Sequence, residues 1–243
     1  LSIFESAVSQ PIYKHWDARF GGNLDESPGW FEKTPDGGLI IGGTSMSGIS
    51  GDKTQANWDP NNVGSDFWLV RTDSNGTKLW DRRFGGINSE VLVKVRNTAD
   101  GGFIAGGHSF SGIGGDKSQP NWDVTQQTYD YWLIKINSNG VKQWDKRFGG
   151  NTLELFGSVV QTSDGGYFVA GSSFSGISGD KTQASRGSWD YWTLRLDSAG
   201  NIIWDRRYGS TDDEFATAAD TVAGGGFIIA GYSQSPAGGD KSQ

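Results

Sequence analysis

"WDRRFGG", residues Trp80–Gly86, is the stretch that decides the fold, because its pattern occurs four times. Trp-Asp-x-Arg-Phe/Tyr-Gly begins at Trp16, Trp80, Trp144 and Trp204. Asp-Gly-Gly begins at Asp36, Asp100 and Asp164, with Gly224 in the fourth equivalent place. Gly-Asp-Lys begins at Gly51, Gly115, Gly179 and Gly239. All three words step by 64, 64 and 60 residues. Self-similarity at such a period marks a repeat architecture. The shortfall falls in one loop: Asp180 to Asp190 is ten residues where Asp52 to Asp66 is fourteen.

Outward from the repeated word, each unit reads as four short strands. "DFWLVRT" (Asp66–Thr72) is apolar and aromatic, and "DSNG" (Asp73–Gly76) supplies turn chemistry. "TKLWDRRFG" (Thr77–Gly85) alternates its side chains, "EVLVKVRNT" (Glu90–Thr98) is β-branched, and "GFIAGGHS" (Gly102–Ser109) follows a second tight turn. Four strands per unit with no helical period predict an all-β chain of four four-stranded antiparallel blades of the β-propeller type, its ring closed or part of a larger one. A linear β-solenoid, the competing architecture, repeats at shorter periods. One such sheet cannot bury both faces alone, and stacking on its neighbours does so. The chain is one repeat domain, with units at about 1–64, 65–128, 129–188 and 189–243. In the first unit the strand "SIFESAVS" (Ser2–Ser9) matches the others only through Ile3 and Phe4. In this frame "GGINSE" is a hairpin inside the blade and the long Gly-Asp-Lys loop bridges two blades. No strand is then left over to close a ring by strand exchange.

Composition narrows the function. Eleven tryptophans and 13 phenylalanines exclude a disordered low-complexity chain. A net charge of −7, with both signs interspersed, argues against nucleic acid as a partner. No apolar run is long enough to span a bilayer. "LSIFESAVSQ" shows no signal peptide, which fits either a processed chain or a piece of a longer one. Without cysteine there is no disulfide, thiolate nucleophile or cysteine-ligated zinc.

"DYWLIKINSNGVKQWDKRFGG" (Asp130–Gly150) and "TSDGGYFVAGSSFSGISGDKTQ" (Thr162–Gln183) together resemble the tandem propeller-type repeats of large exported surface proteins of Bacteroidota, many of them type IX secretion substrates. The resemblance covers nearly the whole chain and is weak before Trp16. It implies an extracellular or cell-surface setting and a binding role, and it carries over no catalytic residue. The C-terminal sorting domain usual in those proteins has no counterpart here.

The candidate chemistry is sparse. His15 and His108 occupy different places in their units, and no nucleophile motif accompanies them, so a non-catalytic protein is expected. Two histidines without cysteine make a poor zinc set. Each unit has an arginine and a glutamate flanking the Gly-Gly connection: Arg19 and Glu26, Arg83 and Glu90, Arg147 and Glu154, Arg207 and Glu214. A hairpin there would join them as structural ion pairs, whereas glycoside hydrolysis needs two acids in one cleft. Asp59, Asn61 and Asp66 have oxygen donors at a loop spacing open to calcium, but they lack the distal glutamate of an EF-hand, and turn formation is the default. No other cofactor is indicated. Asp52, Asp116, Asp180 and Asp240 are expected to bond loop backbone. The ligand-binding candidates are Trp58 with Asp59, Trp122 with Asp123, and, by a shifted alignment, Trp189 with Asp190. A tryptophan beside an acid can stack on a sugar ring while the acid accepts its hydroxyls. It can equally pin its own loop. The partner expected is a glycan or a surface protein, met on the long-loop face; the alternative role is a structural docking platform.

Overall fold

The computed structural model of the chain describes residues 15–61 and 63–243. The expected strand at Ser2–Ser9 lies outside the described residues. Within them the protein is all-β, without a helix and so without one long and apolar enough to cross a membrane. The first sheet holds β1 (Glu26–Lys33), β2 (Leu39–Ser45), β3 (Asp66–Thr72) and β4 (Lys78–Phe84), paired antiparallel in chain order. The second holds β5 (Glu90–Asn97), β6 (Phe103–Ser109), β7 (Asp130–Ile136) and β8 (Lys142–Phe148). The third holds β9 (Glu154–Gln161), β10 (Tyr167–Ser173), β11 (Asp190–Leu196) and β12 (Ile202–Tyr208). A two-stranded sheet follows, β13 (Glu214–Val222) and β14 (Gly226–Ser233).

The strands fall where sequence periodicity predicts, but their grouping is shifted by half a repeat. The long Gly-Asp-Lys loop joins the second and third strands of one sheet. The Gly-Gly connection carries the chain from one sheet to the next, so it is no hairpin: β4 pairs with β3, β5 with β6. The described residues therefore give three four-stranded sheets and a two-stranded one rather than four complete blades.

Each element forms for a local reason. In "DSNG", the Asp73 carboxylate accepts from the backbone of Asn75 and Thr77, and Gly76 takes φ +81°, which a Cβ would resist. The third strand of each four-stranded sheet, apolar on both faces, is its buried centre; every residue of β3 and β7 is buried.

Neighbouring sheets meet through that strand. Phe67 of the first sheet packs 5.1 Å from Trp132 of the second, and Tyr131 of the second packs 5.2 Å from Trp192 of the third. These rings lie over glycines of the receiving sheet, because only a residue without a side chain leaves room. A methyl on Gly107 would stand 2.8 Å from the Phe67 ring. On the turn side, Trp80 donates its indole N–H to the Ser138 carbonyl of the next sheet at 3.1 Å and meets the Phe103 ring edge-on. Trp16, ahead of β1, makes the same bond to Ser74 at 3.0 Å.

Gly107→Ala should therefore destabilise the fold by about 1–3 kcal/mol, the usual cost of overpacking a closed site. Gly176→Ala is the control, since its Cβ would meet nothing within 4 Å. Equal urea midpoints for the two variants would show that the seam tolerates separation.

Candidate functional site

The repeated word of the long loop, Gly-Asp-Lys-Thr/Ser-Gln, is structural letter by letter. Asp116 accepts the Trp58 indole N–H at 2.8 Å, the Arg83 guanidinium at 3.0 Å and the Gly85 amide at 3.2 Å. All three donors belong to the sheet before. Asp180 repeats this with Trp122 at 3.0 Å, Arg147 at 2.8 Å and Gly149 at 3.2 Å. Each indole also lies under the arginine that shares its aspartate, with Arg83 4.4 Å above Trp58 and Arg147 4.5 Å above Trp122. Lys117 is buried, donates to the Ser111 carbonyl at 2.7 Å and meets the Asn121 amide oxygen. The Ser118 amide donates to Asp145, which also takes the Trp132 indole N–H at 3.1 Å. Gln119 Oε1 accepts the Arg147 amide at 3.0 Å.

Arg83, Arg147 and Arg207 are thus not partnered by Glu90, Glu154 and Glu214. Arg83 also approaches Asp66 at 3.6 Å, Arg147 approaches Asp130 at 3.6 Å, and Arg207 pairs with Asp240 at 3.1 Å. Arg19 is exposed, and Glu26 is held by the Gly22 amide and the hydroxyls of Ser45 and Ser47. The expected ion pairs fail because the Gly-Gly connection crosses between sheets, and the loop aspartates arrive first. The glutamates instead close the seam. Glu90 accepts from Ser109 Oγ and the Gly86 amide, both at 2.7 Å; Glu154 does so from Ser173 and Gly150, and Glu214 from Ser233 and Ser210.

At each seam that glutamate meets a second buried acid from the sheet before: Asp66 with Glu90, Asp130 with Glu154, Asp190 with Glu214. The pairs press on Gly85, Gly149 and Gly209; a methyl on Gly149 would stand 2.8 Å from Glu154 Oε2 and closer still to Asp130 Oδ1. Burial, with a neighbouring acid adding to it, pushes Glu90 up to about 7 and raises Asp130 well above the usual carboxylate range; burial raises Asp66 to about 6. Glu154 is raised by burial as well. At the first two of these seams, two carboxyls this close and this dry share a proton rather than both ionise; at the third, burial raises Glu214 but hydrogen bonds from Ser235, the Ser210 amide and Ser233 outweigh it and hold that acid below its ordinary value. Sequence reading missed these pairs because their members, though in one repeat, fall on different sheets.

Of the proposed ligand residues, Trp58 and Trp122 keep 41% and 44% of their surface exposed while serving as bridges. Trp189 is not their equivalent. It stands where Ser65 and Tyr129 stand and packs between Phe174 and Phe215. Arg186 takes the tryptophan's place: its amide donates to Asp190 and its guanidinium reaches Asp240 at 2.9 Å. Asp59 accepts the amides of Asn61, Val63 and Gly64, and Asp123 those of Thr125, Gln127 and Thr128. Both acids are turn-formers whose oxygens face donors. Asp66 is buried on the Trp58 amide, apart from that set. His15 is exposed, and His108 packs against Tyr129, held down to about 4 by burial. No group of three or more His, Cys, Asp or Glu that could hold a metal occurs among the described residues.

The long-loop face carries instead a row of apolar side chains. Ile49, Ile113 and Ile177, one per repeat, are 70%, 70% and 69% exposed. Val63, Ile87 and Val124 add to them, also more than half exposed. A cavity of about 330 Å³ lies among Asp59, Val63, Ile87, Asn88, Phe110 and Gln126.

No family model matches the chain. It is similar to regulatory protein FlaEY of Caulobacter vibrioides, at 23% identity over 201 residues, 81% of this chain and 21% of that protein. The chain spans about a fifth of that relative's length.

Two outcomes are expected of the seams. Asp180→Ala removes the nearer carboxylate of Arg147, leaving Asp130 at 3.6 Å, together with the bridge to the Trp122 N–H, and should cost about 2–4 kcal/mol. At this chain length that is roughly 4–16 °C in Tm. An unchanged Tm would remove Asp180 from its bridging role. The acid pairs set a pH dependence. A carboxyl raised above its unfolded value of about 4 costs nothing below that pH, and its full cost appears above the folded value. Asp66, Glu90, Asp130 and Glu154 act in this sense; His108 opposes them below about 6.5, and the acids held low by hydrogen bonds, such as Asp36 and Asp164, oppose them only below about 4. Above about 7.5 the buried Lys53, Lys117 and Lys181, pushed down to about 8 by burial, begin to release protons. The urea midpoint should thus be higher at pH 5.5 than at pH 7.5, and the reverse order would contradict proton sharing.

Proposed function

We propose that the chain is a non-catalytic docking module, a β-propeller-type array whose long-loop face binds a partner protein within an exported or cell-surface assembly. The propeller reading draws on successive sheets packed in chain order and on Arg96 of β5, which reaches Glu32 on β1 at 3.2 Å and Asp220 on β13 at 3.8 Å. Strands of three sheets thus converge on one side chain, as first strands do around a propeller axis. The surface setting rests on the wording of the repeat. Similarity to a fifth of a long regulatory protein suits a module that works inside a larger chain.

The observation that carries the docking role is the isoleucine row. The repeated loop owes its polar letters to the seams, yet Ile49, Ile113 and Ile177 stay about 70% exposed. Exposed apolar side chains grouped on one face mark contact sites, and three weak copies gain by multivalency. An enzyme is disfavoured because the paired acids a hydrolase would need are buried in the seams. The glycan alternative keeps one support, the open outer faces of Trp58 and Trp122.

The test replaces Ile49, Ile113 and Ile177 by serine together. Tm should stay within about 2 °C, since exposed positions contribute little. Affinity capture from the producing cell's surface fraction should lose the partners that the unaltered chain retains. Identical capture by both chains would refute the row as the docking face. Glycan binding that is lost on altering Trp58 and survives the serines would favour the alternative.

A further inference from the structure

Lys94 on β5 is a buried cation that the repeat does not explain. On the first strands of the other sheets its place is taken by Trp30, Ser158 and Ala218. The lysines of the Gly-Asp-Lys loops, Lys53, Lys117 and Lys181, are buried too, but each donates to a loop carbonyl and to a side-chain oxygen. Lys94 is 5% exposed, yet among the described residues no oxygen accepts from its ammonium and no carboxylate pairs with it. What it meets is the face of Trp30 on β1, with Nζ 3.1 Å from the ring centroid.

The acids nearby are engaged elsewhere. Glu32 on β1 accepts the amide and the side-chain N–H of Asn97, and the Arg96 guanidinium at 3.2 Å. Asp220 on β13 accepts the Thr221 amide at 2.8 Å and lies 3.8 Å from Arg96. Burial holds the Lys94 ammonium down at about 8, and the strongest charge acting on it is a like one, Arg96; Glu32 and Asp220 pull the other way. Arg96 shares a face of β5 with Lys94, as alternate residues of a strand do. Its Nε is buried and also has no hydrogen-bond partner among the described residues. Nor does Arg96 recur, since Glu32, Val160 and Asp220 hold its place in the other sheets.

Two cations with unspent donors on one face make a poor structural device, because neither offsets the other's desolvation. They make a good receptor for an oxyanion, whose lone pairs can accept from both in charge-assisted hydrogen bonds. We propose that Lys94 and Arg96 bind the oxyanion of a small ligand, a carboxylate or a phosphate, beside Trp30. The rim is open to solvent: Trp30 is 41% exposed, and the Asp220 side chain 60%. The site belongs to the first strands and not to the long loops, so it stands apart from the isoleucine row.

A lysine kept for structure and one kept for a ligand respond differently to removal. Lys94→Met retains the apolar stem and deletes the charge. In chloride buffer the variant should melt about 2–4 °C higher than the unaltered chain, because an unpaired buried charge is gone. An equal or lower Tm would make Lys94 a structural tie to Trp30 and overturn the proposal. Should the variant fail to fold, titration of the unaltered chain decides, followed by NMR at constant ionic strength. Inorganic phosphate or acetate should shift the Arg96 Nε–H and Lys94 amide resonances saturably, and folded Lys94→Met should bind about 10–100-fold more weakly. Saturation by phosphate alone assigns a phosphate ligand, and saturation by acetate assigns a carboxylate. Unsaturable drift with both anions, or equal affinity in the two chains, would refute the site. Neither measurement depends on whether the isoleucine face binds anything.

Discussion

One carboxylate per seam, Asp116 or Asp180, sets the distance between neighbouring sheets. It gathers an indole N–H, a guanidinium and a backbone amide, all from the sheet before. Because the donors come from a long loop, a fourth strand and the inter-sheet connection, no one of them can shift without the others. Buried aromatic rings on glycine supply most of the attraction between sheets, each ring being worth roughly 1.5–3 kcal/mol. They have no directionality, however, and the charged bridge supplies it.

The strands were legible to within a residue or two, because two-residue alternation and the Asn-Gly and Asp-Gly-Gly turns are local signals. Their grouping was not. The frame of a repeat is arbitrary, and nothing local tells a Gly-Gly hairpin from a Gly-Gly crossing. That ambiguity produced the expected arginine–glutamate pairs. Once the connection crosses between sheets, Arg83 faces Asp116, and Glu90 turns inward to Ser109.

The long loop was expected to carry the chain from one blade to the next; it lies within one sheet and reaches the sheet before through its aspartate side chain. Trp58 and Trp122 were legible as special, but not their partners, which stand 58 residues downstream in the next repeat. Trp189 misled because the third loop is shorter. Arg186 fills the tryptophan's place with a guanidinium that reaches the same class of aspartate. The isoleucines recur at the 64-residue step, but sequence does not tell a repeated core position from a repeated exposed one; equal exposure at the three positions sets them apart.

The one-way character of the seams has an evolutionary consequence. A contact whose two halves differ is heterologous, and such contacts propagate head to tail without regard to number. Duplicating one full repeat of this chain would carry a complete donor side and a complete acceptor side into the new copy. Gene expansion and contraction would leave every bridge intact and alter only the number of sheets in the array. Selection could therefore adjust the extent of the long-loop face by recombination alone, while substitution at the exposed isoleucines adjusted its chemistry independently.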